Sequence, residues 1–426
     1  MLDLQKIRKL FPGIYDEVPL DNGKKIIGIN FDNAATTPPF IYGIRSIEKF
    51  ASWYSSVHRG AGYKSKICSD FYEDARDRIL KFFNAPKDKY EVIFTKNTTE
   101  GLNLLSHLLV NEENKVLSTF MEHHANDLPW RGKCHLEYVN INKDDGTLDI
   151  LDLEDKLKRN EIKYLTVSGA SNVTGCVNDI NKLAKLCHKY GTKIIVDGAQ
   201  LVPHKKVNML GNGSGEEVDF LVFSAHKMYA PFGIGVVIGL KEELKNKEPF
   251  IKGGGTIKIV TENKVYWDES PARDEGGTPN VFGVVALLTS MQLLDNIGMD
   301  NIHNEEVKIT NYILNGMKGL PIDIYGPLTT DNRLGIITFN VDGMGHSEVA
   351  NSLCSDFGIS VRNGCFCAHP YVEKLLGISE EDMEYYIKNY DKVEKPGMVR
   401  ISLGVYNTLE EAKRFLYALR YIIRKG

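Results

Sequence analysis

The chain has 426 residues, 42% hydrophobic and 25% charged, the proportions of a folded globular protein rather than a disordered or fibrous one. Its length exceeds what one hydrophobic core usually serves, so a large and a small domain are expected. A net charge of −4 gives no electrostatic case for nucleic acid or an anionic membrane as partner, and the longest uncharged apolar run, Met228 to Leu240, is too short and glycine-rich to span a bilayer. Seven cysteines without framework spacing suit reduced thiols. The start Met1-Leu-Asp-Leu-Gln-Lys puts charges where a signal peptide has its apolar core, so a cytoplasmic setting is expected.

The first 30 residues predict a short amphipathic helix near Leu4 to Leu10, a turn at Pro12-Gly13 and a strand from Lys25 to Phe31. This arm, residues 1–30, is expected to pack on the small domain. Asp32-Asn-Ala-Ala-Thr-Thr-Pro-Pro39 then breaks the strand; its small residues let backbone approach a ligand, and a plain turn with Asp or Asn as a helix cap fits as well. A polar loop, Ser56-Val-His58-Arg59-Gly-Ala-Gly62, precedes a periodic helix from Cys68 to Phe83 whose expected core stripe is Phe71, Ala75, Ile79 and Phe82.

Strand Glu91 to Thr95 leads through Lys96-Asn97-Thr98-Thr99 into a helix from Glu100 to Leu109. A hydroxyl-rich turn at a helix start presents free N–H groups and the positive dipole end, which suits an anion; capping by Thr98 or Thr99 is compatible with the same pattern. Strand Lys115 to Phe120 runs into Met121-Glu-His123-His124-Ala-Asn126, where no second ligand pair follows to make the two histidines a metal site. Strands Leu136 to Ile141, Tyr164 to Val167 and Thr192 to Asp197 alternate with helices Leu151 to Lys158 and Asn181 to Tyr190. Such alternation predicts a mostly parallel sheet covered on both faces. Ser171-Asn172-Val-Thr-Gly175 falls on the carboxyl side of a strand, where ligands of such sheets collect.

Phe220-Leu-Val-Phe-Ser224-Ala-His226-Lys227 is an apolar strand ending in a polar corner, followed by a Pro/Gly turn and a second apolar strand. A lysine between buried walls loses stability as an ammonium ion, so its pKa falls toward what a Schiff-base amine needs, unless it snorkels to water as loop lysines commonly do. Asp197 closes the preceding strand. An amine and a carboxylate at the ends of neighbouring strands are the pair that holds pyridoxal phosphate, one on the aldehyde and the other on the ring nitrogen.

Beyond the lysine lie the glycine loops Gly253-Gly-Gly-Thr256 and Glu275-Gly-Gly-Thr278-Pro-Asn280. From about Val284 a long helical stretch leads to strands near Gly335 to Asn340, Ile359 to Arg362 and Met398 to Leu403, with helices Ser347 to Phe357 and Leu409 to Ile423. Arg362-Asn-Gly364-Cys365-Phe-Cys367-Ala-His-Pro370 could be half a metal site or hold inert thiols, but an arginine and a glycine hinge beside a cysteine suit an activated, mobile nucleophile. Val399-Arg400-Ile-Ser402 offers a guanidinium fork for a planar carboxylate, or a structural ion pair.

Asp32-Asn-Ala-Ala-Thr36, Asp197-Gly-Ala-Gln200 and Ser224-Ala-His-Lys227 together resemble the class V aminotransferase family, most closely its cysteine desulfurases and selenocysteine lyases, over Phe31 to Leu419. The resemblance implies a pyridoxal-phosphate-dependent transferase of fold type I: an α/β large domain (31–283) with a mostly parallel central sheet, and a small α/β C-terminal domain (284–426) carrying a mobile cysteine loop. It implies a cofactor site of Thr98, Thr99, His123 over the ring, Asn172, Asp197, Gln200, Ser224, His226 and Lys227, with Thr278 reaching the phosphate of a neighbouring subunit in a homodimer. It implies substrate contacts from Arg400, Arg362, Ala34, His58 and Asn172, and catalysis by Lys227, His123 and Cys367, the cysteine aligned with the family's sulfur acceptor.

The expected activity is removal of sulfur from L-cysteine, leaving alanine and a persulfide destined for an acceptor protein, with no resident metal. The alternatives are another class V reaction on a small amino acid with Cys367 idle, or a silent binding protein. Two departures from the family bear on substrate and acceptor. One is Cys-Phe-Cys before the reactive position, and the other is a lengthened, charged, helical-looking segment from Gly377 to Lys395.

Overall fold

The computed structural model describes residues 3–389 and 391–425; Met1, Leu2, Gly426 and Tyr390, which falls within the 377–395 segment, lie outside the described residues. The large sheet has seven strands in the order Tyr90–Thr95, Gly235–Leu240, Phe220–Ser224, Lys193–Asp197, Tyr164–Ser168, Lys115–Thr119 and His135–Val139. Every neighbouring pair is parallel except those made by Gly235–Leu240, which runs antiparallel to both of its partners. The inner strands are continuous apolar runs, and every residue of Tyr164–Ser168, Phe220–Ser224 and Gly235–Leu240 is buried, as a sheet covered on both faces requires. Parallel pairing also brings strand ends together: Ser168 is registered against Asp197, and Asp197 against Val222, two residues short of Ser224. The carboxyl edge of the sheet is therefore a row of short polar side chains above a dry core.

Helix Tyr63–Phe82 buries Cys68, Tyr72, Ala75 and Ile79, whereas Phe71 and Phe82 of the expected stripe are only half-buried. The inner face is rotated because Arg76 is part of it. Its guanidinium bonds both carboxylate oxygens of Glu275, at 2.7 and 2.9 Å, and the carbonyl of Val92. Hydrophobic periodicity counts an arginine as outward, so a buried ion pair shifts the stripe.

The smaller unit is a four-stranded antiparallel sheet, Ile322–Tyr325, Ile336–Val341, Met398–Ser402 and Arg362–Gly364, backed by helices His346–Phe357 and Leu409–Lys425. Two clusters of buried side chains correspond to the two sheets. Helix Val281–Ile297 packs in the larger cluster, so a boundary at 283/284 would cut through it; the helix is apolar on nearly all sides and its pattern points to no single face. Helix Met299–Met317, bent by 72° from it, carries the chain across, with Ile302 in the larger cluster and Ile309 and Ile313 in the smaller.

The N-terminal arm also straddles the two units. Phe11, following helix Leu4–Arg8, packs its ring on Phe40, Tyr229 and Tyr406, while strand Ile29–Asn30 pairs with Ile359–Ser360. A hairpin, Ile257–Val260 with Val265–Trp267, and helix His369–Leu376 add to the expected elements. Within the 377–395 segment, helix Glu380–Lys388 starts with a Ser379/Asp382 capping box and buries no residue. Among the described residues no single helix is long and apolar enough to cross a membrane.

Candidate active site

A cavity of ≈ 200 Å³ opens at the carboxyl edge of the large sheet, lined by side chains that include Thr98, His123, Asn172, Asp197, Ser224 and Lys227. Of the other expected cofactor contacts, Thr99, Gln200 and His226 also line it. Ala35 faces it in place of Ala34, whose side chain is buried beneath; the Ala34 backbone is pinned by Ser402 Oγ (2.9 Å) and by the Gln200 side-chain amide (2.7 Å).

Lys227 ends the short turn after strand Phe220–Ser224. Desolvation brings its pKa down to about 8, with Arg400 pushing the same way and Asp197 opposing. The Asp197 carboxylate accepts the Ala199 N–H (2.9 Å), and burial raises its pKa against the pull of that bond and of Lys227. Burial, then the nearby Lys227, lowers His123 to about 3. The imidazole is neutral, and because Nδ1 accepts from the Ala125 N–H (3.0 Å), the proton resides on Nε2.

The anion end of the cavity is the start of helix Thr98–Leu109. Its cap is Asn97, which takes the Glu100 N–H (3.0 Å), rather than either threonine. Ser224 Oγ takes the Thr98 N–H and shares a hydrogen with Thr98 Oγ1, both at 2.7 Å. The turn lies so close to the sheet that a Cβ on Gly235 would stand 2.6 Å from the Asn97 backbone, and only glycine leaves room for it. A hydroxyl-lined helix start, a desolvated amine and a buried carboxylate in one cavity form a donor set that fits a phosphate-bearing pyridine aldehyde.

On the small-domain side, Arg400 is only 2% exposed. Its Nη1 donates to the Asn172 carbonyl (2.9 Å) and its Nη2 to Asp32 Oδ1 (3.0 Å), while Nε is buried without a partner. The Phe366 ring lies 4.8 Å from the guanidinium. Arg362 is registered opposite Arg400 on the adjacent strand, and its ion partner is the same Asp32, at 3.8 Å, rather than a cysteine.

Cys367 is exposed beside the cavity, in a turn where both Phe366 and Cys367 adopt left-handed backbone angles (φ 53° and 55°). Their carbonyls are held by the Asn172 amide (2.8 Å) and the His124 N–H (2.7 Å). Cys365 turns the other way, half-buried, its Sγ on the Pro396 carbonyl at 2.9 Å, and burial raises that thiol to about 11. Cys365 is thus tied to the Pro396 carbonyl just after the 377–395 segment, while Cys367 is exposed.

His58 and Thr278 do not reach the Lys227 cavity within this chain. Both line a second cavity of ≈ 650 Å³ with Arg59, and His58 pairs with Glu73 at 2.7 Å. Neither Asp32 nor Glu122 was singled out beforehand. Glu122 is buried next to His123 and accepts from Thr119, Asn126 and Ser168. Its only sequence signal was its place in the Glu-His-His segment, and that of Asp32 its place at the strand break. Among the described residues no group of three or more His, Cys, Asp or Glu is arranged to hold a metal.

The sequence profile of the family described as Aminotransferase class-V matches residues 29–415. The chain belongs to the class-V aminotransferase family. Enzymes of this family depend on pyridoxal phosphate, in agreement with the donor set of the cavity. A class-V relative from Cronobacter sakazakii, a cysteine desulfurase, is 35% identical over 432 residues, covering 99% of this chain and 98% of its own. A cysteine desulfurase from Haloferax volcanii is 34% identical over 373 residues, 85% of each chain. In three dimensions the chain is similar to the apo cysteine desulfurase of Thermococcus onnurineus, with a TM-score of 0.85 and 31% identity over 100% of this chain and 99% of that one. The fold is that of these pyridoxal-phosphate enzymes of fold type I.

Proposed function

We propose that this chain is a pyridoxal-phosphate-dependent cysteine desulfurase that converts L-cysteine to L-alanine and leaves the sulfur as a persulfide on Cys367. The observation that supports this reading is that the desolvated Lys227 amine, which lines the cavity, stands close enough to both Arg400 and Cys367 to feel their charges, with Arg400 buried around an unpartnered Nε and Cys367 exposed.

Thr98, Thr99, Ser224 and His226 would hold the cofactor's phosphate, Asp197 its ring nitrogen, Lys227 its aldehyde, and Asn172, Gln200 and His123 its ring. When bound, the cofactor supplies an electron sink for the bonds at the substrate Cα and Cβ. Arg400 binds the substrate α-carboxylate through its free Nε edge, and Asn172 holds both the Arg400 fork and the Phe366 carbonyl in register. Lys227, with its pKa brought down to about 8, exists in part as the free amine near neutral pH, removes the Cα proton and later returns it. His123, neutral with its proton on Nε2, donates a hydrogen bond into the cavity rather than adding a positive charge. Cys367 Sγ, as the thiolate, attacks the substrate sulfur; the S–S bond forms as the Cβ–S bond breaks, and Cβ gains the proton that makes alanine.

The chain further acts as a cytoplasmic homodimer in which Thr278, exposed on the second cavity, faces the neighbouring subunit's cofactor. His58 acts on that same side, and an acceptor protein collects the persulfide. Incubation of the holoenzyme with labelled L-cysteine tests the reading. Equal amounts of alanine and sulfane sulfur are expected, whereas pyruvate or a keto acid would assign the chain to another reaction of the family.

A further inference from the structure

Helix His369–Leu376 follows the cysteine turn, and its buried Tyr371 and Val372 belong to the core of the larger unit. The Tyr371 hydroxyl donates to the Gly146 carbonyl (2.6 Å) and lies 3.1 Å from Thr174 Oγ1, while Lys374 Nζ stands 3.9 Å from the centre of the Phe120 ring. At the start of this helix the contact is between two imidazoles. The His124 and His369 rings are stacked, 4.9 Å apart and 6° from parallel. His124 Nε2 accepts the His369 backbone N–H (3.3 Å) and lies 3.1 Å from His369 Nδ1. The His124 backbone N–H donates in turn to the Cys367 carbonyl at 2.7 Å. His124 directly follows His123, which lines the Lys227 cavity, so these bonds tie the wall of the cavity to the chain on either side of Ala368.

The grip on His369 needs a lone pair at His124 Nε2, because a backbone N–H and the neighbouring ring nitrogen both converge on it. We propose that His124 and His369 are positioning residues for sulfur transfer, a latch that seats the Cys367 turn against the cavity wall and opens when His124 Nε2 takes up a proton. The proposal rests on the reading that Cys367 receives the substrate's sulfur. The groups facing His124 are His369 from the helix beyond the cysteine, Asp127 and its ion partner Arg131 on the His124 side, and the adjacent His123. Burial, then His369, holds His124 below the ordinary histidine value of 6.5, with Arg131 pushing the same way and Asp127 opposing. The latch is therefore fully present above pH 6.5 and is lost as the pH falls through the lower value of the folded chain.

Hydrogen exchange in the holoenzyme reads the latch without turnover. His369→Leu alters an exposed side chain, and the His124 amide, followed by fragment mass, should then exchange about fivefold faster, the equivalent of about 1 kcal/mol. In a single turnover with L-cysteine, sulfur should appear on Cys367 more slowly by about the same factor. The Kd for L-alanine, which has no sulfur to transfer, should stay at the parent value. His369→Asn, whose side-chain amide takes the place of Nδ1, should recover most of both losses. His124→Gln supplies an acceptor oxygen that does not titrate. Its transfer rate should match the parent above pH 6.5 and exceed it by up to about fivefold at lower pH, a split that a merely structural contact would not give.

An unmoved His124 amide in His369→Leu would overturn the latch, and a faster amide with sulfur transfer at the parent rate would overturn its positioning role. A constant ratio of His124→Gln to parent across the same pH range would overturn the control by protonation. Failure of the underlying reading is separately visible, because Cys367→Ala would then form alanine at the parent rate whatever the amide does.

Discussion

Lys227 and Cys367 approach one cavity from two parts of the molecule that are built differently. The lysine stands at the end of a fully buried strand, in a corner where apolar neighbours, not a dedicated hydrogen bond, make the ammonium form costly. The cysteine stands in an exposed turn of the smaller unit, at a backbone angle that side-chain-bearing residues rarely adopt, and is held by bonds to its main chain rather than by packing. One group is activated by what surrounds it, the other is positioned by how the chain is bent. Substitutions near the lysine should therefore act on cofactor chemistry, and substitutions near the cysteine on sulfur transfer.

The largest effect expected is at the lysine. Lys227→Ala should lower alanine formation by on the order of 10³-fold or more, since it removes both the cofactor's attachment and the base at Cα. A pyridoxyl label still fixed to that variant after borohydride reduction, denaturation and gel filtration would break the contrast at its first half. Next is Arg400→Lys, which keeps the charge but loses the fork. About 2 kcal/mol of charge-assisted bonding should go, raising the KM for cysteine some thirtyfold while cofactor binding changes little.

The pH dependence of Lys227 follows from a pKa lowered to about 8 by burial. In cofactor-free protein its acylation by an amine reagent, followed by peptide mass, should rise about tenfold per pH unit up to about 8 and then level off. Surface lysines should keep rising toward their ordinary pKa. The sign carries over to stability. Between pH 8 and the ordinary lysine value the unfolded chain binds more protons than the folded one, so the contribution of Lys227 to stability grows with pH across that window. The smallest effect is Gly235→Ala, whose Cβ would meet the Asn97 backbone at 2.6 Å and should cost about 1–3 kcal/mol in urea unfolding, with weakened phosphate retention.

Most of the lysine side was legible in the sequence because strand-end chemistry is local. A strand followed at once by Ser224-Ala-His-Lys227 or by Asp197-Gly-Ala-Gln200 must deliver those side chains to the carboxyl edge of a parallel sheet, and it does. The cysteine side was less legible because its geometry depends on partners far away in the chain. That Arg362 would spend its charge on Asp32, and that Cys365 would turn toward Pro396, required the fold. His58 was expected with the rest of the site and Thr278 at a neighbouring subunit's phosphate; within one chain the two share a cavity of their own. The expected domain boundary at 283/284 falls inside helix Val281–Ile297, which is too uniformly apolar for its pattern to show which core it serves.

The most direct test of the proposed chemistry follows the sulfur itself. After a single turnover with L-cysteine the holoenzyme is alkylated and digested, and the peptide carrying Cys365 and Cys367 is sequenced by mass. One extra sulfur atom on Cys367, matched by one alanine, is expected, with Cys365 bare; in Cys367→Ala both alanine and added sulfur should vanish, while Cys365→Ala should keep alanine formation. Alanine formed at the parent rate by Cys367→Ala, or sulfur found only on Cys365, would contradict Cys367 as the acceptor of the substrate's sulfur.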